Sequence, residues 1–295
     1  MKGYLWLVVI GALVALTVIL GVKSVRVAQT EVSGEEGGSI GGFSKPESVA
    51  VGPEGKYYVS NVGQPGRAGD GKIMALGKDG TLEDLALGLD DPKGFAIYGE
   101  ALYVADIDKV WRVSLNGHKE LFLRPEDFPR RPAFLNDVAL APSSDRLYIS
   151  DTQLGVIFTV RTCICGGVTI FAQRARFPEL QAPNGLALDG AGNLLVIDLS
   201  TGKLLEIEPN GSSAEVIGEG FGGGDGLAFD PAGNLYISDY AGGRIFKRSP
   251  EGTSEIFAEG LESPADIAVD PERNLLLVPE FNADRLRLIS LSPGG

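Results

Sequence analysis

The chain has 295 residues, with 26 lysines and arginines against 39 aspartates and glutamates, and a formal net charge of −13. A protein this acidic repels phosphate backbones, which excludes nucleic acid as an expected partner. His118 is the single histidine, and Cys163 and Cys165 are the only cysteines. These are too few soft ligands for a zinc finger or a three-histidine zinc site.

The first element of the chain is apolar, because residues 4–22 contain no charged side chain. As a helix at about 1.5 Å per residue this segment nearly spans a bilayer, which predicts a transmembrane or signal-anchor helix within residues 1–24. Lys23 and Arg26 follow it where a signal peptidase site has small residues, which favours an uncleaved anchor over a cleaved signal peptide. We expect the rest of the chain on the extracytoplasmic side, membrane-anchored or, as the alternative, secreted after cleavage.

We predict that residues 25–42 form a tether, because the segment from residue 29 onward is rich in Gly and Glu.

Residues 43–295 contain six copies of one unit, which recur every 40 to 48 residues. The copies begin with PESVAV at Pro46, PKGFAI at Pro92, LNDVAL at Leu135, PNGLAL at Pro183, GDGLAF at Gly224 and PADIAV at Pro264.

Each copy combines this first apolar strand with a turn, a second apolar strand and two further strands such as GRIFKR and SEIFAE. Short runs of Val, Ile, Leu and Tyr broken by Gly and Pro fit helices poorly, so a helical solenoid is disfavoured. Six units of four antiparallel strands predict an all-β, six-bladed β-propeller. The last copy is one strand short, and we expect SVRVAQTEV or GSIGGF, both before Pro46, to donate that strand and close the ring.

The first strand of every propeller blade lines the central tunnel, so the second residues of the six copies are expected to be neighbours at one end of it. We call these the ring positions: Glu47, Lys93, Asn136, Asn184, Asp225 and Ala265. Apolar side chains would fill a tunnel at lower cost, so polar ones indicate a function there. Four of the six, Glu47, Asn136, Asn184 and Asp225, offer hard oxygen ligands with two negative charges, which suits calcium. The residues leave open the alternative that the four only bind each other and water.

A second repeated position closes the second strand of each copy. We call these the strand-end residues: Asn61, Asp106, Asp151, Asp198, Asp239 and Glu280. Because they recur in every blade, we expect them to accept backbone N–H bonds in turns rather than to catalyse a reaction. Asp137 and Asp266 follow the ring positions of the third and sixth copies, where they either support the tunnel or hold a second ion.

The sequence resembles the senescence marker protein, gluconolactonase and regucalcin family over roughly residues 40–292, with kinship to paraoxonases, diisopropyl fluorophosphatase and strictosidine-synthase-like propellers. The resemblance is carried by Glu47 in PESVAV, Asn136 in LNDVAL, Asn184 in PNGLAL and Asp225 in GDGLAF. It implies one catalytic calcium ion on these four residues, and a second ion remains an alternative.

The resemblance also implies a hydrolase of lactones or esters. The calcium would polarise the oxygen of a small-molecule substrate, and Asp225 would be the catalytic nucleophile or general base. Lys93 stands at the ring position where paraoxonases have a histidine, and we expect it to bind substrate or, alternatively, to pair with Glu47.

Two departures from these families narrow the expected chemistry. Gluconolactonases place an arginine where this chain has Phe134, which argues against specificity for sugar lactones. The single histidine, His118, falls in a predicted outer turn, which excludes a paraoxonase-type histidine dyad. The alternatives are a non-enzymatic NHL-type propeller that binds a protein or small ligand and, less favoured, a strictosidine-synthase-like enzyme.

Overall fold

The computed structural model describes residues 25–26 and 38–292, and every regular element in these ranges is a β-strand or a one-turn 3₁₀ helix. The strands form six antiparallel sheets, one for each repeat of the sequence. The prediction of an all-β, six-bladed propeller is therefore confirmed. The predicted membrane segment, residues 4–22, lies outside the described residues, and within those residues no helix is long and apolar enough to cross a membrane.

The strands are numbered in chain order. Before the first repeat lie β1 (Val25–Arg26) and β2 (Ser39–Gly41). The first two blades contain β3 (Pro46–Val51), β4 (Tyr57–Asn61), β5 (Gly71–Leu76), β6 (Thr81–Leu89), β7 (Pro92–Tyr98), β8 (Ala101–Asp106), β9 (Lys109–Ser114) and β10 (Lys119–Leu123). The third and fourth contain β11 (Leu135–Ala141), β12 (Arg146–Asp151), β13 (Val156–Arg161), β14 (Thr169–Gln173), β15 (Pro183–Leu188), β16 (Leu194–Asp198), β17 (Leu204–Ile207) and β18 (Ala214–Gly218).

The fifth and sixth blades contain β19 (Gly224–Phe229), β20 (Leu235–Asp239), β21 (Arg244–Arg248), β22 (Ser254–Glu259), β23 (Ala268–Asp270), β24 (Leu275–Glu280) and β25 (Arg285–Ser290). The 3₁₀ helices are Pro53–Gly55, Pro125–Asp127, Pro142–Ser144 and Phe281–Ala283. The sixth blade is completed by β2, which pairs antiparallel with β25 through Ile40 and Leu286. Of the two segments considered for this role, GSIGGF thus closes the ring, whereas Val25 and Arg26 pair with the outer strand β6 of the first blade.

The hydrophobic core of the described residues is divided among the interfaces between adjacent blades. One cluster joins Tyr103 and Val110 of the second blade to Leu147 and Phe158 of the third. The cluster between the first and last blades contains Val59 and Leu286, so the two ends of the chain share a core. Face-to-face packing of adjacent blades therefore fixes where each inner strand lies around the tunnel axis.

Each of the first five inner strands carries one extra residue near its start. Pro46 pairs with Asn61 and Val49 pairs with Val59, so three steps along β3 match two along β4. The same shift occurs in β7, β11, β15 and β19. A β-bulge of this kind changes the direction of the side chains inside it. Every one of these bulges contains a ring position.

At each bulge a backbone N–H group is left without a partner in the neighbouring strand. In three blades a serine hydroxyl on the second strand accepts a hydrogen bond from this group. The pairs are Ser48 N with Ser60 Oγ at 2.9 Å, Asp137 N with Ser150 Oγ at 2.9 Å, and Gly226 N with Ser238 Oγ at 2.7 Å. A buried donor without an acceptor costs roughly 1–3 kcal/mol, so these serines stabilise the irregular backbone on which the ring depends.

The strand-end residues hold the loops that lead into the inner strands. Asp151 accepts the backbone N–H groups of Ala133 and Leu154, and Asp198 accepts those of Gln181 and Ala182. Each of these side chains thus holds the loop that leads into an inner strand. In several blades it also accepts a hydrogen bond from the turn that follows its own strand, which joins the two segments. The strand-end residues act by positioning the loops, as the sequence predicts.

Glu280 is the strand-end residue for which we expect a measurable pH effect. Burial alone would raise its pKa, but hydrogen bonds from Arg285 and the backbone of Glu262, with the charge of Arg287, hold the pKa below its ordinary value of 4.5. Its contribution to stability is therefore complete above about pH 4.5 and is lost as the pH falls through the lower folded value. We expect Glu280→Gln to lower the free energy of unfolding by about 2 kcal/mol at pH 7 and by much less at pH 3, measured by urea denaturation.

The matched control is Glu262→Gln. The Glu262 carboxylate is exposed and lies 3.7 Å from Arg285, so its loss should cost less than about 0.5 kcal/mol. Equal effects of the two substitutions, or a Glu280→Gln effect independent of pH, would contradict this role for Glu280.

Candidate functional site

The ring positions lie where the inner strands begin, at one mouth of the tunnel. The candidate calcium ligands are all buried, with at most 7% of each side chain exposed, and the members of this set are Glu47, Asn136, Asn184 and Asp225. Ala265 is fully buried and offers no ligand. The structure thus places one polar side chain from each of four blades at the same end of the disc.

Close packing of the inner strands brings these side chains together. Asn184, in the neighbouring blade, lies close enough to Asp225 to favour its ionised form and so to lower its pKa against the effect of burial. A Cβ at Gly185 would lie 2.2 Å from the carbonyl oxygen of Asp225, so only glycine fits beside the ring there. On the other side, the backbone N–H of Asp266 donates to the carbonyl of Glu47 at 2.8 Å, which joins the last blade to the first.

Two carboxylate oxygens in this ring are buried without a hydrogen-bond partner. They are Glu47 Oε2 and Asp225 Oδ1. A buried acceptor that lacks a donor is costly, so each of these atoms calls for a partner such as an ion, a substrate or a water. Both atoms belong to residues predicted as calcium ligands.

The ionised forms of the two ring carboxylates, Glu47 and Asp225, are destabilised by their surroundings. The pKa of Asp225 is raised to about 7, chiefly by burial and in smaller part by the charge of Asp137, while Lys93 and Asn184 oppose the rise. Burial also raises the pKa of Glu47 well above its usual range, and the charge of Asp225 adds to the shift against that of Lys93. A bound cation would relieve this destabilisation by favouring the ionised forms.

Lys93 contributes the positive charge at the same mouth. Its Nζ lies 3.4 Å from Asp91 Oδ1 and 3.9 Å from Glu47 Oε1, and its side chain is 12% exposed. Burial alone would lower the pKa of Lys93, but the charges of Glu47, Asp91 and Asp225 outweigh it and raise the pKa. The ammonium is therefore held charged among the carboxylates, so both expected roles of Lys93, substrate binding and pairing with Glu47, remain compatible with the geometry.

Sequence reasoning did not select Asp91, because the position directly before the repeat holds no acid in the other copies, which have Lys45, Phe134, Ala182, Gly223 and Ser263 there. It also missed the aromatic surroundings of Lys93. The ammonium lies 5.4 Å from the ring centroid of Phe134 and 5.7 Å from that of Phe281. Phe134 belongs to the third blade and Phe281 to the sixth, so only the closed ring brings both to Lys93.

Asp137 and Asp266 lie deeper in the tunnel, one residue past the ring. Asp137 Oδ1 accepts the N–H of Val138 at 2.6 Å, and Oδ2 accepts that of Leu186 at 2.7 Å. Asp266 Oδ2 accepts the hydroxyl of Ser48 at 2.6 Å. Burial raises the pKa of Asp137 to about 6 against these backbone bonds. Both residues join inner segments of different blades, which is compatible with the tunnel-supporting role, and a second ion on them stays a prediction.

The other residues singled out in the sequence lie away from the ring. His118 is exposed in the turn between β9 and β10. Cys163 and Cys165 form a disulfide in the turn between β13 and β14. Neither feature contributes to the chemistry of the tunnel mouth.

The donor set at the mouth fits calcium better than a softer metal. In the described residues, no group of three or more His, Cys, Asp and Glu side chains is arranged to hold a metal ion. Glu47 and Asp225 supply two carboxylates, and the amides of Asn136 and Asn184 add neutral oxygens. Carboxylate and amide oxygens with no nitrogen or sulfur ligand are the set that calcium prefers.

Fold and site together define a six-bladed β-propeller with a buried, acidic ring at one mouth of its tunnel. No protein-family model matches the chain, and no curated protein matches it. Among solved structures, the chain is similar to virginiamycin B lyase from Staphylococcus aureus, with a TM-score of 0.61 and 12% identity over 92% of this chain and 99% of that chain. A streptogramin B lyase has a TM-score of 0.61 and 14% identity over 85% of this chain and 94% of that chain.

At these identities the likeness shows the propeller fold alone. The membership in the gluconolactonase-like family that the ring residues predict is not shown by these comparisons and stays a prediction.

Proposed function

We propose that this protein is a calcium-dependent hydrolase of lactones or esters, with its site at the tunnel mouth. The observation that carries the proposal is the pair of buried, unpartnered carboxylate oxygens, Glu47 Oε2 and Asp225 Oδ1, within a ring of hard oxygen donors. Glu47, Asn136, Asn184 and Asp225 would hold the ion. When bound, calcium would supply a Lewis acid for the carbonyl oxygen of the substrate.

The chain's own residues account for the remaining steps. Asp225 lies at the mouth with one oxygen unpartnered, so its carboxylate either adds to the carbonyl carbon or takes a proton from a water that adds there. In the first route the Asp225 oxygen bonds to the carbonyl carbon as the ester C–O bond breaks, and a water then cleaves the resulting acyl–Asp225 anhydride and supplies the proton that the leaving alkoxide takes. In the second route the water oxygen bonds to the carbonyl carbon, the ester C–O bond breaks, and the proton passes through Asp225 to the leaving alkoxide. The ammonium of Lys93, fixed by Asp91 and Glu47, stabilises negative charge that develops on substrate oxygens.

The similar structures are those of lyases, which supports a second candidate. A lyase breaks a bond by elimination and adds no water, and it too needs a base beside an electrophilic centre. Asp225 beside Lys93 offers that pair. The two candidates differ in the product, because hydrolysis incorporates one oxygen atom from solvent and elimination incorporates none.

The test uses the purified full-length chain in detergent, an aryl ester and lactone panel, and water enriched in ¹⁸O. We expect turnover that a calcium chelator abolishes and added calcium restores, with ¹⁸O in the carboxylic acid product. A cleaved product without ¹⁸O would favour the lyase. Turnover that survives chelation would contradict the calcium role, and no turnover over the whole panel would favour a non-enzymatic binding propeller.

A further inference from the structure

The six residues that directly follow the strand-end residues form a second ring above the charged one, which we call the collar. Its members are Val62, Ile107, Thr152, Leu199, Tyr240 and Phe281. Five of the six are apolar or aromatic, although the charged ring lies immediately below. Val62 is buried, but the other apolar members, Ile107, Leu199, Tyr240 and Phe281, are partly exposed. Their exposed apolar surface needs an explanation, because polar side chains would be solvated there.

Backbone hydrogen bonds fix the collar on the same face as the mouth. The N–H of Tyr240 donates to the carbonyl of Gly223 at 3.0 Å, and that of Phe281 donates to the carbonyl of Ser263 at 3.1 Å. Gly223 and Ser263 directly precede the fifth and sixth repeats. Corresponding bonds join Val62, Thr152 and Leu199 to the loops before their own inner strands. Each collar residue therefore lies beside the start of an inner strand, where the ring positions are.

Ring contacts show that the aromatic members reach the axis. Phe281, in the sixth blade, lies 5.7 Å from the ammonium of Lys93 in the second blade, across the first blade between them. Tyr240 packs edge-on against Phe281, with ring centroids 5.8 Å apart. Phe134 contacts the same ammonium from the third blade. All three aromatic side chains are partly exposed, and Phe281 also lies 5.4 Å from the ammonium of Lys45, so the exposed parts of these rings border the entrance.

The chemistry of this entrance differs from that needed for a sugar. A polyhydroxylated ring needs a hydrogen-bonding partner for most of its hydroxyls, and each unmet group carries a desolvation cost. Thr152 and the Tyr240 hydroxyl are the polar side-chain groups that the collar offers, and the Thr152 hydroxyl already donates to the carbonyl of Pro183 at 2.8 Å. An alkyl or aryl group would instead bury apolar surface against Phe134, Tyr240 and Phe281, which is favourable in proportion to the area covered.

We infer that the substrate of this site is a lactone or ester with an apolar alkyl or aryl group, which packs against Phe134, Tyr240 and Phe281 while its carbonyl lies at the charged ring. The inference rests on the proposed function for the bond that is cleaved, but the preference for an apolar group is a property of binding alone. The collar also excludes water from the carboxylates once it is covered, which strengthens their electrostatic effect.

Binding is tested with ligands that the protein does not hydrolyse. Cyclopentanone and 3-pentylcyclopentanone are carbocyclic counterparts of a small lactone and an alkyl lactone, and both lack the ester bond. In calorimetric titrations of the full chain with calcium present, we expect the pentyl compound to bind at least about tenfold more tightly, because several methylene groups become partly buried. The advantage should fall below about threefold in Phe281→Ser and persist in Phe281→Leu, which keeps an apolar side chain.

The control is Phe257→Ser, because Phe257 is also a partly buried aromatic residue but lies on the outer strand β22, packed against Tyr236. It should keep the wild-type preference. A pentyl group that adds no affinity to the wild type, or an advantage unchanged in Phe281→Ser, would overturn the inference. If the preference is present but no lactone or ester is ever cleaved, the proposed hydrolase fails and the inference about the collar stands.

Discussion

Asp225→Asn is expected to reduce turnover of the best lactone or ester by about 10³-fold or more, while the protein stays folded. The substitution keeps the size of the side chain and one oxygen, but it removes the carboxylate that would attack the substrate or accept a proton. Because burial raises the pKa of Asp225 to about 7, its ionised form destabilises the metal-free protein. The melting temperature of metal-free Asp225→Asn should therefore equal or exceed that of the wild type.

Initial rates and thermal unfolding, measured on the same preparations, check this expectation. Glu215→Gln is the control for removing an acidic group, since Glu215 is exposed on the outer strand β18. It should leave both the rate and the melting temperature unchanged. Asp225→Asn with more than a tenth of the wild-type rate would remove Asp225 from the catalytic role.

Glu47→Gln is expected to weaken calcium binding by about tenfold or more, because the number of charged ligands sets calcium affinity. Glu47 is one of two carboxylates in the ring and has a buried oxygen without a partner. Calorimetric titration with calcium chloride measures the affinity directly. The rise in melting temperature on adding calcium, which is large for the wild type if the ion binds the folded state, should shrink in parallel.

Glu83→Gln serves as the matched control, since Glu83 is an exposed glutamate on β6 of the same blade. Its calcium affinity should equal that of the wild type. If the wild type binds no calcium at millimolar concentration, or if Glu47→Gln binds it as tightly as the wild type, the metal centre proposed at the ring is wrong. Both measurements are independent of enzymatic activity.

Much of the fold could be predicted from the sequence because the same physical requirement recurs in every blade. In each blade an inner strand starts at the tunnel mouth and a second, antiparallel strand returns to it, which needs two apolar runs joined by a short turn. Six copies of that pattern are difficult to reconcile with any architecture other than a propeller. The repeat also places Glu47, Asn136, Asn184 and Asp225 at equivalent positions, so their meeting at one mouth follows from the symmetry of the disc. The strand-end residues follow from the same repetition.

Other parts of the site depend on contacts that have no repeat. The bulges in the inner strands are defined by how these strands pair with their neighbours. The residue types at and after Pro46 and Pro92 do not predict them. The position of Asp91, directly before its repeat, holds no acid in the other five copies, so its ion pair with Lys93 was missed. Two candidate segments for closing the ring had similar apolar character, and pairing of Ile40 with Leu286 distinguishes them.

The sequence by itself determined six blades and an acidic ring of oxygen donors, because those conclusions need only composition and repetition. It also predicts that nucleic acid is not a partner and that histidine-based zinc chemistry is absent. The tertiary structure decided which side chains surround the charged ring. Phe281 and Lys93 are far apart in the chain and in non-adjacent blades, yet closure of the ring brings them within 5.7 Å. Contacts across the axis depend on how far each side chain reaches from its own blade, and that is set by packing between blades rather than by any local pattern.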